Sequence, residues 1–407
     1  MSGSGRNRQR NQERNHRTDR AGARTAKAGG GKPGAKASAA AGRGAGSGSR
    51  RAETGGKIAR AGGRSAAAGA RFAEARGRTA GAGRSAAAGG KFAATVGGGA
   101  AASGRRLPAG AAAGAPPKLG RRRGDWVDVK LPDGAAGAPL PQAMKLTPLP
   151  PKLIAKLLQS KGAQLQGSTL RLQLFPDEER DFPPDWMELN VLYEDDFTLV
   201  VNKPSGIEVH PSEKGQRRTL AHAVSSYYEM SNQNVRIRHI HRIDKETTGP
   251  VLYAKNEFAH YQYDKAMREK KIERIYLALA EGVIAQDKGK IDKPIGQDRH
   301  HSTRRRVSET GDPAVTHYEV VERFGDHTLV RLRLETGRTH QIRVHLSAIG
   351  HPLAGDGLYG GKRGLISRQA LHGERLLWFH PWTGEKLSVS APLPDDFGEA
   401  LKRLRER

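Results

Sequence analysis

The sequence has 407 residues and a formal net charge of +27, which is unevenly distributed along the chain. Residues 1–124 carry 27 Lys or Arg and four Asp or Glu, whereas the remaining residues are close to neutral. The absence of cysteine excludes disulfides, thiolate metal sites and cysteine nucleophiles. The chain has neither an apolar run of the roughly 18 residues that a membrane span needs nor an apolar start typical of a secretory signal. No membrane association is therefore expected, and the predicted location is the cytoplasm.

Residues 1–124 are dominated by Gly, Ala, Arg and Ser, and the sequence at Gly63–Ala73 recurs with few changes at Gly83–Ala93. With almost no large apolar side chains, this segment cannot offset the entropy of ordering and is predicted to be a disordered basic tail. Basic Gly/Arg segments bind RNA by neutralising phosphates. RNA or ribosome affinity is therefore expected, and a solubilising extension is the alternative.

Residues 125–184 are predicted to form a small module. Leu153–Leu158 has the pattern of an amphipathic helix, and Leu170–Phe175 alternates like a strand. Gly162 and Gly167 supply breaks between them. This outline of a helix followed by a hairpin is similar to an S4-type RNA-binding module, and a linker with a hairpin cap is the alternative.

Residues 185–407 have the pattern of a folded domain. Thr219 and Thr339 are predicted to cap helices, the second of which stops before Gly350. Strands separated by few long helices predict an α+β fold with a mixed, mainly antiparallel sheet and flanking helices. The predicted strands are Phe197–Val201, Ile275–Leu279, Val315–Val321 and Leu329–Leu334.

The segment His241–Asn256 places the carboxylate of Asp244 between Arg242 and Lys245, just before an apolar run. Flanking cations can hold a reactive Asp ionised and anchored. A solvated surface loop is the alternative for this segment in isolation. His241 is expected to be structural.

Four segments, in this order, resemble those of RluA-type pseudouridine synthases. They are VVNKPSGIEVHPS (Val200–Ser212), HRIDKETTG (His241–Gly249), KIERIYLALAEG (Lys271–Gly282) and TGRTHQIRVHLSAIGHPLAGDGLYG (Thr336–Gly360). The resemblance covers roughly Leu189 to Leu393. It implies the pseudouridine synthase catalytic fold and the isomerisation of uridines in structured RNA, ribosomal or transfer, to pseudouridine. In this reaction the C1′–N1 bond breaks and C1′ is rejoined to C5, without a cofactor or metal.

The resemblance also implies roles for individual residues. Asp244 is the catalytic carboxylate, Arg343 is its bidentate salt-bridge partner, and Tyr276 packs on the uracil and helps remove the C5 proton. Arg242 is implied to enter the RNA in place of the flipped base. Lys203, in the first segment, is predicted to bind RNA.

Other patterns are predicted to carry no catalytic chemistry. Gly355–Gly360 spells GxGxxG, but it follows a helix and is not expected to bind a dinucleotide. The histidines at 300, 301, 340, 345 and 351 lack the spacing of a zinc site. Arg299–Val307 is predicted to be an exposed basic loop that could touch phosphates.

Two other functions remain open from the sequence. One is a non-catalytic RNA-binding or ribosome-assembly protein on the same scaffold, which would not need Asp244, Tyr276 and Arg343 together. The other is a glycosyl hydrolase, which would need a second positioned carboxylate. The expected partner is RNA, and the expected oligomeric state is a monomer.

Overall fold

The computed structural model describes residues 116–132 and 137–407. The described chain begins with a small layer of four strands and two helices. In chain order these elements are β1 (Lys118–Arg123), β2 (Trp126–Lys130), α1 (Leu140–Lys145), α2 (Pro151–Gln159), β3 (Ala163–Gln166) and β4 (Thr169–Gln173). The strands form an antiparallel sheet in the order β1-β2-β4-β3. Pro151 opens α2, where its fixed φ suits the first helical turn and its missing N–H costs nothing.

Strand β1 corrects the predicted boundary of the basic tail at residue 124. Its backbone pairs with β2, and the indole N–H of Trp382 donates to the carbonyl of Pro117 at 2.9 Å. Most side chains of β1 are exposed, so pairing of the backbone rather than apolar burial holds the strand in place. Composition carries no signal for such a strand. Residues 1–115, the rest of the predicted tail, lie outside the described residues.

The remaining elements form the larger part of the fold. In chain order they are β5 (Asn190–Glu194), β6 (Thr198–Lys203), α3 (Leu220–Met230), β7 (Gly249–Ala254), α4 (Glu257–Arg268), β8 (Glu273–Glu281), β9 (Lys288–Asp292), β10 (Ile295–Gln297), β11 (Arg305–Val307), β12 (Val315–Arg323), β13 (His327–Leu334), α5 (Gln341–Ala348), β14 (Leu371–Phe379), β15 (Lys386–Ser390) and α6 (Asp395–Arg405). Thr219 is the N-cap of α3, as predicted.

Two sheets and a hairpin organise these elements. The larger sheet has the order β15-β14-β8-β13-β12-β9, the smaller sheet has the order β5-β6-β7, and β10 pairs with β11. Within the described residues, every pairing between these strands is antiparallel, and a parallel bridge joins Thr248 to His372. The predicted α+β class with a mainly antiparallel sheet is confirmed.

Two apolar clusters hold the layers together. One joins the N-terminal sheet to the end of the larger sheet, through residues such as Leu172, Phe197 and Trp378. The other lies between β6, β7 and β8 and includes Val251 and Ile243. This second cluster supports the loop that carries Asp244. In the part of the chain that the structure describes, no helix has the length and apolar character needed to cross a membrane.

Candidate active site

Asp244 lies in the loop that leads from α3 to β7, and its side chain is 20% exposed. Ile243 is buried in the cluster under the loop, whereas Arg242 is exposed. The backbone N–H of Thr247 donates to the carbonyl of Asp244 at 3.1 Å and closes a turn. The turn therefore presents Arg242 and Asp244 to the same cleft, while Ile243 anchors the chain between them.

Lys203, the last residue of β6, holds this loop from inside the protein. Its ammonium donates to the carbonyl oxygens of Pro204, Ile207 and Lys245, at 2.6, 2.8 and 2.8 Å. Burial lowers the pKa of Lys203 to about 7, although nearby carboxylates oppose the shift. Because its side chain has no exposed surface, the expected contact with RNA is corrected. Lys203 is a structural residue that fixes the backbone next to Asp244.

Arg368 holds the same loop from the other side. One terminal N–H of its guanidinium donates to the carbonyl of Glu246 at 3.0 Å. Its Nε and second terminal nitrogen donate to the carboxylate of Asp396 in α6, at 2.6 and 2.7 Å. Two buried cations, Lys203 and Arg368, thus fix consecutive carbonyls of the loop that follows Asp244. The sequence did not predict that Lys203 and Arg368 hold this loop, because each cation binds backbone carbonyls that are far away in the chain.

The end of the loop is fixed where it approaches β14. Gly249 has φ +124°, and a Cβ at this position would lie 2.5 Å from the carbonyl oxygen of Gly373. The N–H of Gly373 donates to the carbonyl of Thr248 at 2.7 Å, and the Thr248 hydroxyl lies 2.8 Å from His372 Nδ1. Only glycine fits this close approach of two backbones. The Thr248 hydroxyl thus helps to hold the loop against β14.

Arg343 lies in α5 and is almost completely buried. Its Nε and Nη2 donate to the two oxygens of Asp356 at 2.7 and 2.9 Å, while Nη1 donates to Asp244 at 3.3 Å. The bidentate partner is therefore Asp356, which corrects the prediction of a bidentate pair with Asp244. Burial opposes the charge of Arg343, but the carboxylates of Asp356 and Asp244 outweigh it and raise the pKa of the guanidinium.

Asp356 belongs to Gly355–Gly360, the segment that spells GxGxxG. Gly355 has φ +78°, and a Cβ there would lie 2.0 Å from the carbonyl oxygen of Arg368. The N–H of Asp356 donates to the carbonyl of Leu353 at 3.1 Å. These tight turns bring the Asp356 carboxylate to Arg343. The only sequence signal for this function is an acidic residue between turn glycines.

The start of α5 differs from the prediction. The N-cap is His340, with φ +58°, so the predicted cap at Thr339 is wrong. The side-chain amide of Gln341 accepts a hydrogen bond from the Thr336 hydroxyl at 2.8 Å and donates to the carbonyl of Val315 at 3.0 Å. Gln341 thereby ties the loop before α5 to β12, and this tertiary contact sets where the helix begins.

Tyr359 connects Arg343 to the β10–β11 hairpin. Its ring centroid lies 4.9 Å from the guanidinium carbon of Arg343. Its hydroxyl lies 2.8 Å from His340 Nδ1 and accepts a hydrogen bond from the N–H of Arg305 at 2.9 Å. The basic residues before Arg305 are exposed, as predicted, but Arg305–Val307, predicted to belong to the same loop, forms β11.

Tyr276, in β8, lines the same cleft as Asp244 and Arg343, a space of about 550 Å³ that is partly open to solvent. Its side chain is only 5% exposed. Burial raises the pKa of the Tyr276 hydroxyl, Arg274 lowers it, Asp244 raises it, and the net shift is upward. The phenol is therefore protonated at neutral pH. Elsewhere under the loop, burial lowers the pKa of His241 to about 3, so that ring is neutral.

Comparison with known proteins places these residues in a family. The family model described as RNA pseudouridylate synthase matches residues 197–348, a range that includes Asp244, Tyr276 and Arg343. The uncharacterized RNA pseudouridine synthase YhcT of Bacillus subtilis is 45% identical over 233 residues, which cover 57% of this chain and 77% of YhcT.

The chain belongs to the RNA pseudouridine synthase family. Ribosomal large subunit pseudouridine synthase D of Haemophilus ducreyi is 40% identical over 261 residues, which cover 61% of this chain and 80% of that protein. These relatives confirm the resemblance to RluA-type enzymes. The solved structure of human RNA pseudouridylate synthase domain containing 1 is 26% identical and covers 55% of this chain and 98% of its own, with a TM-score of 0.44.

The synthase is thus an enzyme that isomerises uridine in RNA to pseudouridine, and the non-catalytic alternative is not supported. Its fold brings Asp244, Tyr276 and Arg343 to one cleft, with Arg242 among the lining residues. Arg242 makes no ion pair or hydrogen bond within the described chain. Of the five predicted site residues, only Lys203 lies away from the cleft surface.

We expect Lys203→Met to lower the free energy of unfolding of the synthase by at least about 2 kcal/mol. The substitution leaves the carbonyl oxygens of Pro204 and Ile207 without the ammonium donor, whereas that of Lys245 still accepts from the N–H of Gly206. Each buried unsatisfied group costs about 1–3 kcal/mol. Urea denaturation followed by circular dichroism measures the change. Lys245→Met, at an exposed position of the same loop, is the matched control and should stay within about 0.5 kcal/mol of wild type. A Lys203→Met variant as stable as wild type would contradict the structural role.

Proposed function

We propose that Asp244 is the reacting carboxylate of this synthase and that Arg343 orients it. The observation that carries the proposal is the contact of 3.3 Å between Arg343 Nη1 and Asp244 inside the cleft lined by Tyr276. Asp244 is partly exposed, so an RNA nucleotide can reach it, whereas Arg343 is buried and held by a second carboxylate. A carboxylate that is aimed but accessible suits nucleophilic or general-base chemistry at a uridine.

Tyr276 is proposed to pack on the uracil ring. Its buried position next to Asp244 supports this role, since an aromatic face can hold a flat base that has left the RNA stack. The raised pKa of Tyr276 keeps its hydroxyl protonated. We therefore assign Tyr276 to packing, and removal of the C5 proton by this residue would first require the loss of its own proton.

Arg242 is proposed to enter the RNA in place of the flipped uridine. It is exposed and lies two residues from Asp244 on the same cleft. Its guanidinium is not engaged by any described residue, so it is available to stack on bases or bind phosphate. The space that the uridine leaves would then be filled by a side chain attached to the catalytic loop itself.

The substrate is proposed to be structured RNA, with ribosomal RNA favoured over transfer RNA. Several relatives that are 40% or 41% identical are named ribosomal large subunit pseudouridine synthase D, which supports this preference. We further propose that the synthase acts in the cytoplasm as a monomer, with its catalytic domain in residues 185–407.

The N-terminal parts are proposed to add RNA affinity. The sheet and two helices between Lys118 and Gln173 are proposed to form an S4-like module, supported by the order of α1, α2 and the β3–β4 hairpin. The tail contributes many Lys and Arg and few acidic residues. Such a segment would bind phosphates without reading sequence.

A glycosyl hydrolase mechanism is not favoured by the geometry. Asp356 is a second carboxylate in the network of Asp244, but both of its oxygens accept hydrogen bonds from Arg343 and its side chain is 1% exposed. Such a carboxylate cannot protonate a leaving group or activate water in the cleft, as the second carboxylate of a hydrolase does.

We expect Asp244→Asn to lower pseudouridine formation by about 1,000-fold or more, because the reacting carboxylate is lost while the side-chain volume is kept. Release of tritium from RNA labelled at C5 measures the reaction, and filter binding measures RNA affinity, which should stay within about twofold. Glu213→Gln, an exposed loop substitution, is the control and should retain full activity. Substantial turnover by Asp244→Asn would show that Asp244 is not the reacting carboxylate.

We expect Asp356→Asn to lower kcat by about 10- to 100-fold with little change in KM. The substitution removes the carboxylate that holds Arg343, and a buried charge that loses its partner reorients. Steady-state kinetics on the same tritiated RNA separates kcat from KM. Asp264→Asn, on the exposed face of α4, is the matched control. A wild-type kcat for Asp356→Asn would show that Arg343 aims Asp244 without Asp356.

Deleting residues 1–115 should weaken RNA binding and flatten its dependence on salt, while kcat at saturating RNA is kept. Each phosphate contact that is lost reduces the number of counterions released. The deletion ends before β1, so that the N-terminal sheet is left intact. A full-length variant with Gln in place of the Lys and Arg of residues 1–115 is the control and should reproduce the effect. An unchanged salt slope for both variants would refute the role of the tail.

A further inference from the structure

Arg274 is a cation in the wall of the cleft that contains Asp244, and the proposed roles of Asp244, Tyr276, Arg343 and Arg242 do not involve it. Its Nε is buried and has no hydrogen-bond partner, and the side chain forms no ion pair within the described chain. Buried polar groups in native proteins nearly always have a partner, so an unpaired one calls for an explanation. The side chain of a resting enzyme can remain unpaired when its partner is the substrate.

The position of Arg274 in β8 directs it towards the substrate. Arg274 and Tyr276 are alternate residues of the strand and therefore lie on the same face of the sheet. Both line the cleft that contains Asp244. A Cβ at Gly337 would lie 2.8 Å from Nη1 of Arg274, so the chain before α5 packs directly on the guanidinium. Glycine at this position leaves room for the arginine.

One part of the cleft wall has the chemistry of a slot for a flat base, while Thr247, Thr339 and His340 are among the polar residues that line the remainder. The first part includes the apolar side chains of Ile243, Leu334, Ile342 and Leu371 together with the ring of Tyr276. Such walls fit the two faces of a base but cannot distinguish one pyrimidine from another. Discrimination requires a polar group at the edge of the base.

Arg274 offers the polar group that separates uracil from cytosine. Arginine has only hydrogen-bond donors. Uracil presents a carbonyl acceptor at ring position 4, where cytosine presents an amino donor. A guanidinium therefore pairs with uracil at position 4 but meets an amino donor there in cytosine, where both groups would be left unpaired in a buried site.

We propose that Arg274 donates a hydrogen bond to the carbonyl at ring position 4 of the flipped uracil, and thereby selects uracil over cytosine and stabilises the base after it leaves the sugar. When the C1′–N1 bond breaks, its electron pair goes to the uracil and its charge spreads onto the ring carbonyls. The pair is used again when C1′ bonds to C5; the C5 proton then leaves and N1 gains a proton. Arg274 keeps its own proton throughout.

This inference rests on the proposed assignment of the cleft to the reacting uridine. Its stabilising effect is expected to be large because the guanidinium is partly buried, next to apolar walls, where a charged hydrogen bond is stronger than in water. The test therefore compares Arg274→Met and Arg274→Lys with wild type in single-turnover reactions. Arg333→Met, an exposed arginine on the adjacent strand β13, is the matched control.

We expect Arg274→Met to lower the single-turnover rate by about 10- to 100-fold, the loss typical of a charged hydrogen bond. Arg274→Lys keeps a donor and should lose less, while Arg333→Met should react like wild type. RNA that carries 4-thiouridine at the target tests the oxygen at position 4, because sulfur is the weaker acceptor, and 2-thiouridine is the control. 4-Thiouridine should slow the wild type and have no further effect in Arg274→Met, whereas 2-thiouridine should act alike on both proteins.

Three results would overturn the inference. One is a rate for Arg274→Met within about twofold of wild type. Another is a 4-thiouridine effect that is equally large in wild type and Arg274→Met. The third is weaker RNA binding with a reduced salt slope and an unchanged rate, which would identify Arg274 as a phosphate contact instead.

Two controls keep the outcome interpretable. If circular dichroism shows that Arg274→Met does not fold, the 4-thiouridine effect measured in Arg274→Lys decides, because lysine preserves the charge and one donor. Asp244→Asn is assayed in parallel. Activity in Asp244→Asn would remove the proposed active-site assignment, whereas an inactive Asp244→Asn with a normal Arg274→Met would reject only the role of Arg274.

Discussion

The guanidinium of Arg343 is the interaction on which the rest of the site depends. It is buried between two carboxylates, with a bidentate contact to Asp356 and a single contact to Asp244. A buried charge is tolerated only when it is paired and hydrogen-bonded, and Asp356 meets that requirement with both of its oxygens. The third donating nitrogen of Arg343, Nη1, therefore contacts Asp244, which stays partly exposed. Asp356 is therefore a buried structural carboxylate, whereas the carboxylate of Asp244 remains accessible from the cleft.

The surrounding fold serves to keep this geometry. The loop of Asp244 is a short irregular segment whose carbonyls are held by Lys203 from β6 and Arg368 near β14. Arg368 is itself held by Asp396 in the last helix. The pairing of Gly249 with Gly373 closes the far end of the loop. Elements distant in sequence, from β6 to α6, are thus needed to fix the loop that carries Asp244.

The sequence predicted the residues of the candidate active-site cleft better than it predicted the residues that support them. Asp244, Tyr276 and Arg343 lie in segments with recognisable spacing, and the structure brings all three to one cleft. Lys203 also lies in such a segment, but its side chain points inward and its expected contact with RNA was replaced by a structural role. Asp356 lies in the GxGxxG pattern of Gly355–Gly360, for which the sequence predicted no catalytic role. Arg274 stands in a strand whose alternation records only which face a residue occupies.

The sequence by itself determined the fold class, the α3 cap at Thr219 and the identity of the residues at the cleft, because these depend on local periodicity and on motifs short enough to read along the chain. Only the tertiary structure decided which carboxylate accepts from two nitrogens of Arg343, which cations hold the loop, and that α5 begins after His340 rather than Thr339. Each of these depends on contacts between segments tens of residues apart. Their energies are set by burial and by hydrogen-bond geometry in three dimensions, and no pattern of neighbouring residues records either quantity.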